Sequence, residues 1–443
     1  MSISVWYHTF GCKANQYDTE RMRQEIESRG ASTVEEPESA SAAVLNTCTV
    51  TDQADLSARR MIRKLRRRHP ELRIVVAGCS SALHEDTYRA LPEVDGVVAG
   101  QDPVAVAAEV APESALAEEH GEPIGGALLR SSRRGSRAWL KIQDGCDRKC
   151  SFCATRIARG ASGSRPVQEL VEEARLLSRN HAELVLTGIH IGHYGRDLAS
   201  GVGLSGLCRR LLEAVPGVRF RLGSIEATEI DGGLLDLLDA SDGMLAPHLH
   251  VPLQSGSDEV LKRMRRWYTR DQYRRRVLEI AERVQPLGLG ADIIVGFPGE
   301  SEADHFRTRA LVEALPFTYL HVFPFSVRAG THAADLPDRV PDEVTAARSR
   351  ELRELGIEKG TASAEARIGA PALVAVETEH SGLTGDYLRV RTRGAAEPGT
   401  LVRARISGTA QDLRVVTGAT GRAALPVLSA SLQETVAPLQ RAT

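Results

Sequence analysis

The hydrophobic pattern of the first hundred residues repeats one small unit three times. An apolar run, "ISVWYHTF", ends at Gly11-Cys12 and gives way to the helical pattern "YDTERMRQEIESRG". "AAVLNT" ends at Cys48 ahead of "DLSARRMIRKLRRR", and "RIVVAG" ends at Cys79 ahead of "HEDTYRAL". Short apolar runs that alternate with amphipathic stretches predict buried strands and helices in turn, hence a parallel sheet. Ligands of open α/β sheets gather outside the carboxyl ends of the strands, so Cys12, Cys48 and Cys79 are expected together at one edge.

Residues 112–137 break this rhythm with a polar, Gly-, Ser- and Arg-containing connector of no clear period. Beyond it, "AWLKI", "ELVLTG", "VRFRLGS", "PHLHVPL", "ADIIVGF" and "TYLHVFPF" are each followed by a helical stretch. Such β/α units predict a partial (β/α)6 barrel with its site at the C-terminal face. From about residue 370 the pattern changes to short strands without helices, "PALVAVETE", "DYLRVRTR", "GTLVRARIS" and "DLRVVTG", which predict a small β-barrel. The expected organisation is α/β: an open parallel sheet in 1–111, a linker in 112–137, a partial barrel in 138–366, a small β-barrel in 367–430 and a tail in 431–443.

Composition narrows the use of the cysteines. A chain of 443 residues with 42% hydrophobic content suits two or three domains. No apolar run approaches the roughly 18 residues of a membrane span, and no basic segment precedes the first apolar run, so a soluble cytoplasmic protein without a membrane partner is expected. Seven cysteines in such a chain point to metal or catalysis rather than to disulfides. Net charge is only −2, so a polyanion would be held by local patches. Two stand out: "RRMIRKLRRR" from Arg59 to Arg68, and "KRMRRWYTRDQYRRR" from Lys262 to Arg276, where Trp267, Tyr268 and Tyr273 lie among the basic residues. Rings that stack on unpaired bases beside arginines that hold phosphates would make the second an RNA surface. A solvated helix face is the competing explanation.

The stretch "KIQDGCDRKCSFCATRIARG" carries Cys146, Cys150 and Cys153 in the loop after the first barrel strand. Structural zinc prefers four ligands in a closed tetrahedron, and no fourth Cys or His lies nearby in sequence. Iron–sulfur clusters take thiolates at short spacings, and a four-iron cluster with three protein ligands keeps one iron open. Cys208 sits on the apolar side of a helical pattern and is expected in the core.

The Cx3Cx2C spacing, with Phe152 just before the third cysteine, resembles the signature of radical S-adenosylmethionine enzymes. That resemblance implies S-adenosylmethionine on the open iron. It also implies cofactor contacts at Thr187 and Gly188 in "ELVLTG", at Gln254, Ser255 and Gly256 in "PLQSGS", and at Gly296 in "DIIVGFPGE". With Cys12, Cys48 and Cys79 added, the whole chain resembles the methylthiotransferases. The likeness implies a second four-iron cluster on those three cysteines, a 5′-deoxyadenosyl radical made at the first cluster, and sulfur delivered from the second. It further implies a C-terminal TRAM domain that binds RNA, with Arg389, Arg391, Arg393, Arg403 and Arg405 as a candidate phosphate stripe, and an electron donor such as flavodoxin or ferredoxin.

"GCKANQYDTERM", "LNTCTVTDQAD", "LTGIHIGHYGRD" and "HVFPFSVRAGTHAA" resemble the branch that acts on N6-threonylcarbamoyladenosine in the tRNA anticodon stem-loop. His190, His193, Tyr194 and Arg196 are the candidates for contact with that substituent. The alternatives are an isopentenyladenosine tRNA or a ribosomal-protein aspartate as substrate, and, in a different class, a non-catalytic iron–sulfur protein that binds RNA.

Overall fold

The computed structural model describes residues 3–50, 52–111, 128–129, 135–394 and 396–417. Most of the expected linker and the whole expected tail lie outside them. The first sheet is parallel, with strands β1 (Ser4–Thr9), β2 (Ser32–Thr33), β3 (Ala42–Thr47), β4 (Arg73–Gly78) and β5 (Gly96–Val97) in the order β2-β1-β3-β4-β5. The three expected strands are β1, β3 and β4. β3 is buried along its full length, because helix Lys13–Ser28 covers one face of the sheet and helix Asp52–Arg68 the other. Val44, Met22 and Ile26 join one apolar cluster, and Leu45, Ile62 and Leu65 join its counterpart.

The six expected barrel strands are β6 (Arg137–Lys141), β9 (Glu183–Thr187), β10 (Arg219–Leu222), β11 (His248–His250), β12 (Gly288–Val295) and β13 (Tyr319–Pro324); β7 (Gln143–Asp144) and β8 (Gly163–Ser164) form a short antiparallel pair beside them. Strands β10-β9-β6 and β11-β12-β13 make two parallel sheets, stitched together by parallel bridges Phe220–Leu245 and Ser224–His250. The partial barrel therefore runs β6-β9-β10-β11-β12-β13. Strand alternation gives one apolar and one polar face. Leu184, Leu186, Phe220 and Leu222 pack outward against the helices. Glu183, Arg219, Arg221, His248, His250, Asp292, Tyr319 and His321 lie on the other side and make the lumen polar.

Strands β14 (Pro371–Thr378), β15 (Ser381–Thr384), β16 (Arg389–Gly394), β17 (Leu401–Thr409) and β18 (Asp412–Thr417) close the small barrel in the order β14-β15-β16-β18-β17. Its loop seals the N-terminal end of the larger barrel. Arg219 donates to the carbonyls of Leu373 and Leu383, Arg221 donates to those of Thr384 and Gly385, and the Tyr387 ring stacks on His248 at 4.3 Å.

One fully buried carboxylate holds this junction together. Glu183 accepts from Arg219 at 2.5 Å and from Arg221 at 2.8 and 2.9 Å. Burial raises its carboxyl, but the two guanidiniums outweigh that and hold it at about 2, while burial beside Arg221 lowers Arg219 to about 10. Glu183→Gln leaves two buried cations short of their counter-charge and is expected to cost about 3–5 kcal/mol in chemical denaturation. Because the carboxyl is depressed in the fold, its contribution is present above its ordinary value of 4.5 and drains away as pH falls toward about 2. A wild-type denaturation midpoint that does not fall between about pH 5 and pH 3, or falls equally in the variant, would contradict this.

Candidate functional site

Each cysteine of the first set stands at the carboxyl end of a strand or one residue into the next element. Cys12 precedes helix Lys13–Ser28, Cys48 follows β3, and Cys79 opens helix Cys79–Leu83 after β4. They are close enough for Cys79 to feel the charges of both Cys12 and Cys48. Gly11 makes this possible. Its φ is +90°, and a Cβ there would stand 2.4 Å from the Cys48 sulfur. Burial raises the Cys48 thiol to about 11 and Cys79 to about 12. Two polar side chains nevertheless donate toward Cys79 Sγ: Arg159 Nε at 3.1 Å and Gln101 Nε2 at 3.3 Å.

The second set lies in the loop after β7. Cys146 and Cys150 each sense Cys153, and burial raises the Cys146 thiol to about 11. Arg266 Nη1 donates to Cys150 Sγ at 3.3 Å and its Nη2 to Glu226. Gln143 fixes the loop. Its side-chain nitrogen donates to the carbonyls of Asp144 and Gly145 and to Ser162, while its oxygen accepts from the backbone of Ile189 and His190. Gly145, at φ +68°, follows because a Cβ there would overlap the Ala161 carbonyl.

Among the residues expected to contact cofactor, Phe152 packs against Val260, Met264, Phe297 and Ala333. Thr187 ends β9 and Gly188 abuts Gln143. Gln254 adopts φ +65° and bridges to β12; Ser255 and Gly256 lie against helix Glu302–Ala314, where the Gly256 amide donates to Thr308. Gly296 donates its amide to Glu300, which Arg348 holds at 2.9 Å. Thr187, Gly188, Gln254 and Gly296 all follow barrel strands or belong to the loops after them, on the side of the Cys146 loop.

The loop after β9 has a different character from the one expected. His190 and His193 stack at 3.8 Å and both face Glu229, at 2.8 and 3.1 Å, with Arg148 also on Glu229 at 2.7 Å. Burial alone would raise Glu229, but hydrogen bonds from His190 and Arg148 hold it at about 2, and burial next to His190 lowers His193 to about 4. His190 Nδ1 lies 3.7 Å from Cys146 Sγ. The histidines thus brace the cysteine loop. Tyr194 is core, its hydroxyl donating to the Arg165 carbonyl, and Arg196 is exposed.

The two RNA surfaces also need revision. Tyr268 and Tyr273 are buried, with hydroxyls donating to backbone carbonyls of residues 251–253, so only Trp267 of the three rings is partly open, and Arg148 covers it at 3.7 Å. On the small barrel, Arg389, Arg391 and Arg393 point outward from β16, beside Arg414 of the neighbouring β18. Arg403 turns instead to Asp242 of the central barrel, and Arg405 donates to the Gly369 carbonyl. The five arginines do not form one stripe. Cys208 is buried in helix Leu204–Ala214, as expected.

Residues 4–100 match a family described as "Uncharacterized protein family UPF0004", and residues 140–312 match the Radical SAM superfamily. The Threonylcarbamoyladenosine tRNA methylthiotransferase MtaB of Bacillus subtilis (strain 168) is 36% identical over 427 residues, covering 91% of this chain and 93% of the relative. The chain belongs to the radical SAM methylthiotransferase family. A tRNA-2-methylthio-N(6)-dimethylallyladenosine synthase of Cereibacter sphaeroides (strain ATCC 17025 / ATH 2.4.3) is 35% identical over 434 residues, covering 92% of this chain and 97% of the relative. Among solved structures, the radical S-adenosylmethionine methyltransferase TsrM from Kitasatospora setae superposes with a TM-score of 0.52 at 18% identity, over 75% of this chain and 77% of that one, a likeness of fold.

As a radical SAM methylthiotransferase the chain is an enzyme that uses S-adenosylmethionine and two four-iron clusters. The residues present fit that requirement. All six cysteines are free of disulfides, three lie in each of two groups, and a buried guanidinium donates to one sulfur of each group. Thiols raised by burial would release their protons on binding a metal, and the arginines would offset the negative charge of the thiolates. No described helix is long and apolar enough to cross a membrane.

Sequence reasoning missed Arg159, Gln143, Glu229 and Arg266. Arg159 is the most consequential. Besides Cys79 it bonds Asn15 and Asp18 of the first helix and both carboxylate oxygens of Asp144, two residues before Cys146. It links one cysteine group to the loop that carries the other.

Proposed function

We propose that this chain inserts a methylthio group at C2 of N6-threonylcarbamoyladenosine next to the anticodon of tRNA. The relative from Bacillus subtilis supports the reaction class. The observation that carries the choice of substituent is the polar lumen, walled by Arg221, His248, His250, Asp292, Tyr319 and His321. A threonylcarbamoyl group offers such a polar wall donors, acceptors and a carboxylate, whereas an apolar dimethylallyl group offers it none.

On this reading Cys146, Cys150 and Cys153 hold one four-iron cluster and Cys12, Cys48 and Cys79 the other. When bound, the first supplies the electron that cleaves S-adenosylmethionine and the second the open iron that carries sulfur. The protein's own residues do the rest. Gln143 and Gly145 hold the Cys146 loop in register with the loop after β9, and Phe152, Thr187, Gly188, Gln254, Ser255, Gly256 and Gly296 line the S-adenosylmethionine site. Arg60, Arg63, Arg67, Arg389 and Arg391, all exposed, take the phosphates of the anticodon stem-loop. A flavodoxin or ferredoxin supplies electrons. The folding units are 1–111, 138–366 and 367–430, of which 418–430 lie outside the described residues.

The test offers the reconstituted enzyme two purified tRNAs, one bearing threonylcarbamoyladenosine and one isopentenyladenosine, and weighs the product nucleosides by mass spectrometry. Methylthiolation of the first with little of the second is expected. Preference for the isopentenyl tRNA would refute the substrate and leave the reaction class standing.

A further inference from the structure

The loop histidines face the Glu229 carboxylate, which would repel a second carboxylate there. The geometry points to Lys13, reaching into the lumen of the central barrel, as the residue that receives the carboxylate of the N6 substituent. This assignment rests on the threonylcarbamoyl reading of the substrate.

Lys13 opens the helix that packs on β6 and directly follows Cys12. Its ammonium lies within electrostatic reach of Arg221, Arg137 and Glu183, and of His248 across the lumen. Among the described residues the ammonium has no hydrogen bond and no ion pair. The carboxylate within its reach, Glu183, is already shared by Arg219 and Arg221, with Arg137 at 3.9 Å. Arg137 is itself paired with Glu377 at 2.7 Å, and Asp292 is held by His250 and His321. Each anion of the lumen is thus matched to other cations or imidazoles, and Lys13 adds a positive charge with no anion of its own. The residue is only partly buried.

Placement gives this surplus a purpose. Lys13 adjoins a cysteine of the sulfur-delivering group, and it projects toward Arg221 and Glu183, below the strand ends where Cys146 and Thr187 lie. A base whose C2 faces the cysteine groups can direct its N6 substituent down this lumen. The ammonium then forms a charge-assisted hydrogen bond with the carboxylate, and a neutral substituent leaves that cation unsatisfied.

The experiment compares tRNA bearing threonylcarbamoyladenosine with the same tRNA after conversion of the threonyl carboxylate to its methylamide, for wild type and Lys13→Met. Wild type should prefer the acid by about 10- to 100-fold in kcat/KM, and the variant's preference should fall to near one, through loss on the acid. The ratio is internal to each protein, so general damage beside Cys12 cancels. For a variant without turnover, the affinities of the two tRNAs, measured by fluorescence anisotropy, give the same ratio. A variant that keeps the wild-type preference overturns the role of Lys13. So does a wild type that methylthiolates both tRNAs equally, which leaves the substrate reading intact. A wild type that ignores both and modifies isopentenyl tRNA removes the reading and this assignment together.

Discussion

Replacement of Cys146, Cys150 and Cys153 together by alanine is expected to halve the iron of the anaerobically reconstituted protein, from about eight to about four atoms, and to abolish formation of 5′-deoxyadenosine. The cysteines lie in one loop whose path Gln143 and Gly145 help to set, so their removal should leave the fold in place. Cys12, Cys48 and Cys79 hang from the ends of a different sheet and retain their own share of iron. Their joint replacement gives the converse result: half the iron, 5′-deoxyadenosine still formed, and no methylthiolated nucleoside. Cys208→Ala is the control, because that thiol is enclosed by helix packing and should bind nothing. Full iron retention by the Cys146/Cys150/Cys153 variant would show that this loop is not a cluster site.

Most of the strands, their order along the chain and the two cysteine groups were legible in the sequence because each has a period or a spacing, whereas the short β2, β5, β7, β8 and β15 were not. Apolar runs closed by a cysteine recur in β1, β3 and β4, and six apolar runs become β6 and β9–β13. The residues that tie these parts together have no such signal. Arg159, Gln143 and Glu229 are single polar residues whose partners lie between 1 and 144 positions away, so only the folded chain shows what they join. The misread surfaces have physical reasons too. Tyr273, Val277 and Ile280 follow the spacing of a buried helix face, which outweighs the arginines between them. Alternation placed the arginines of β16 and β17 outside their barrel correctly, but a closed barrel turns successive strands in different directions. Arg391 on β16 stays largely exposed beside Asp412 of β18, and β17 brings Arg403 against Asp242.

The second large effect is expected at Arg159. Its side chain is 1% exposed, and its guanidinium donates to Cys79, to Asn15 and Asp18, and to both oxygens of Asp144. Arg159→Leu leaves Asp18 and Asp144 to share the single ammonium of Lys141, at 2.5 and 2.8 Å, with Asp18 shut from water and Asp144 partly open to it. Breaking a buried charge network by removing one partner costs about 3–5 kcal/mol, so the denaturation midpoint should fall sharply. A second loss should accompany it. A three-thiolate cluster carries negative charge that Arg159 offsets through Cys79, so the variant should lose iron from the Cys12, Cys48 and Cys79 group while the Cys146 group keeps its own. Arg159→Lys separates charge from geometry. It retains a cation but cannot fork to a sulfur, an amide and two carboxylates at once, and should fall between wild type and Arg159→Leu in both measurements. A leucine variant with full iron and a stability change below about 1 kcal/mol would mean that this contact is no stronger than a surface ion pair, and that the two cysteine groups are held in place by packing alone.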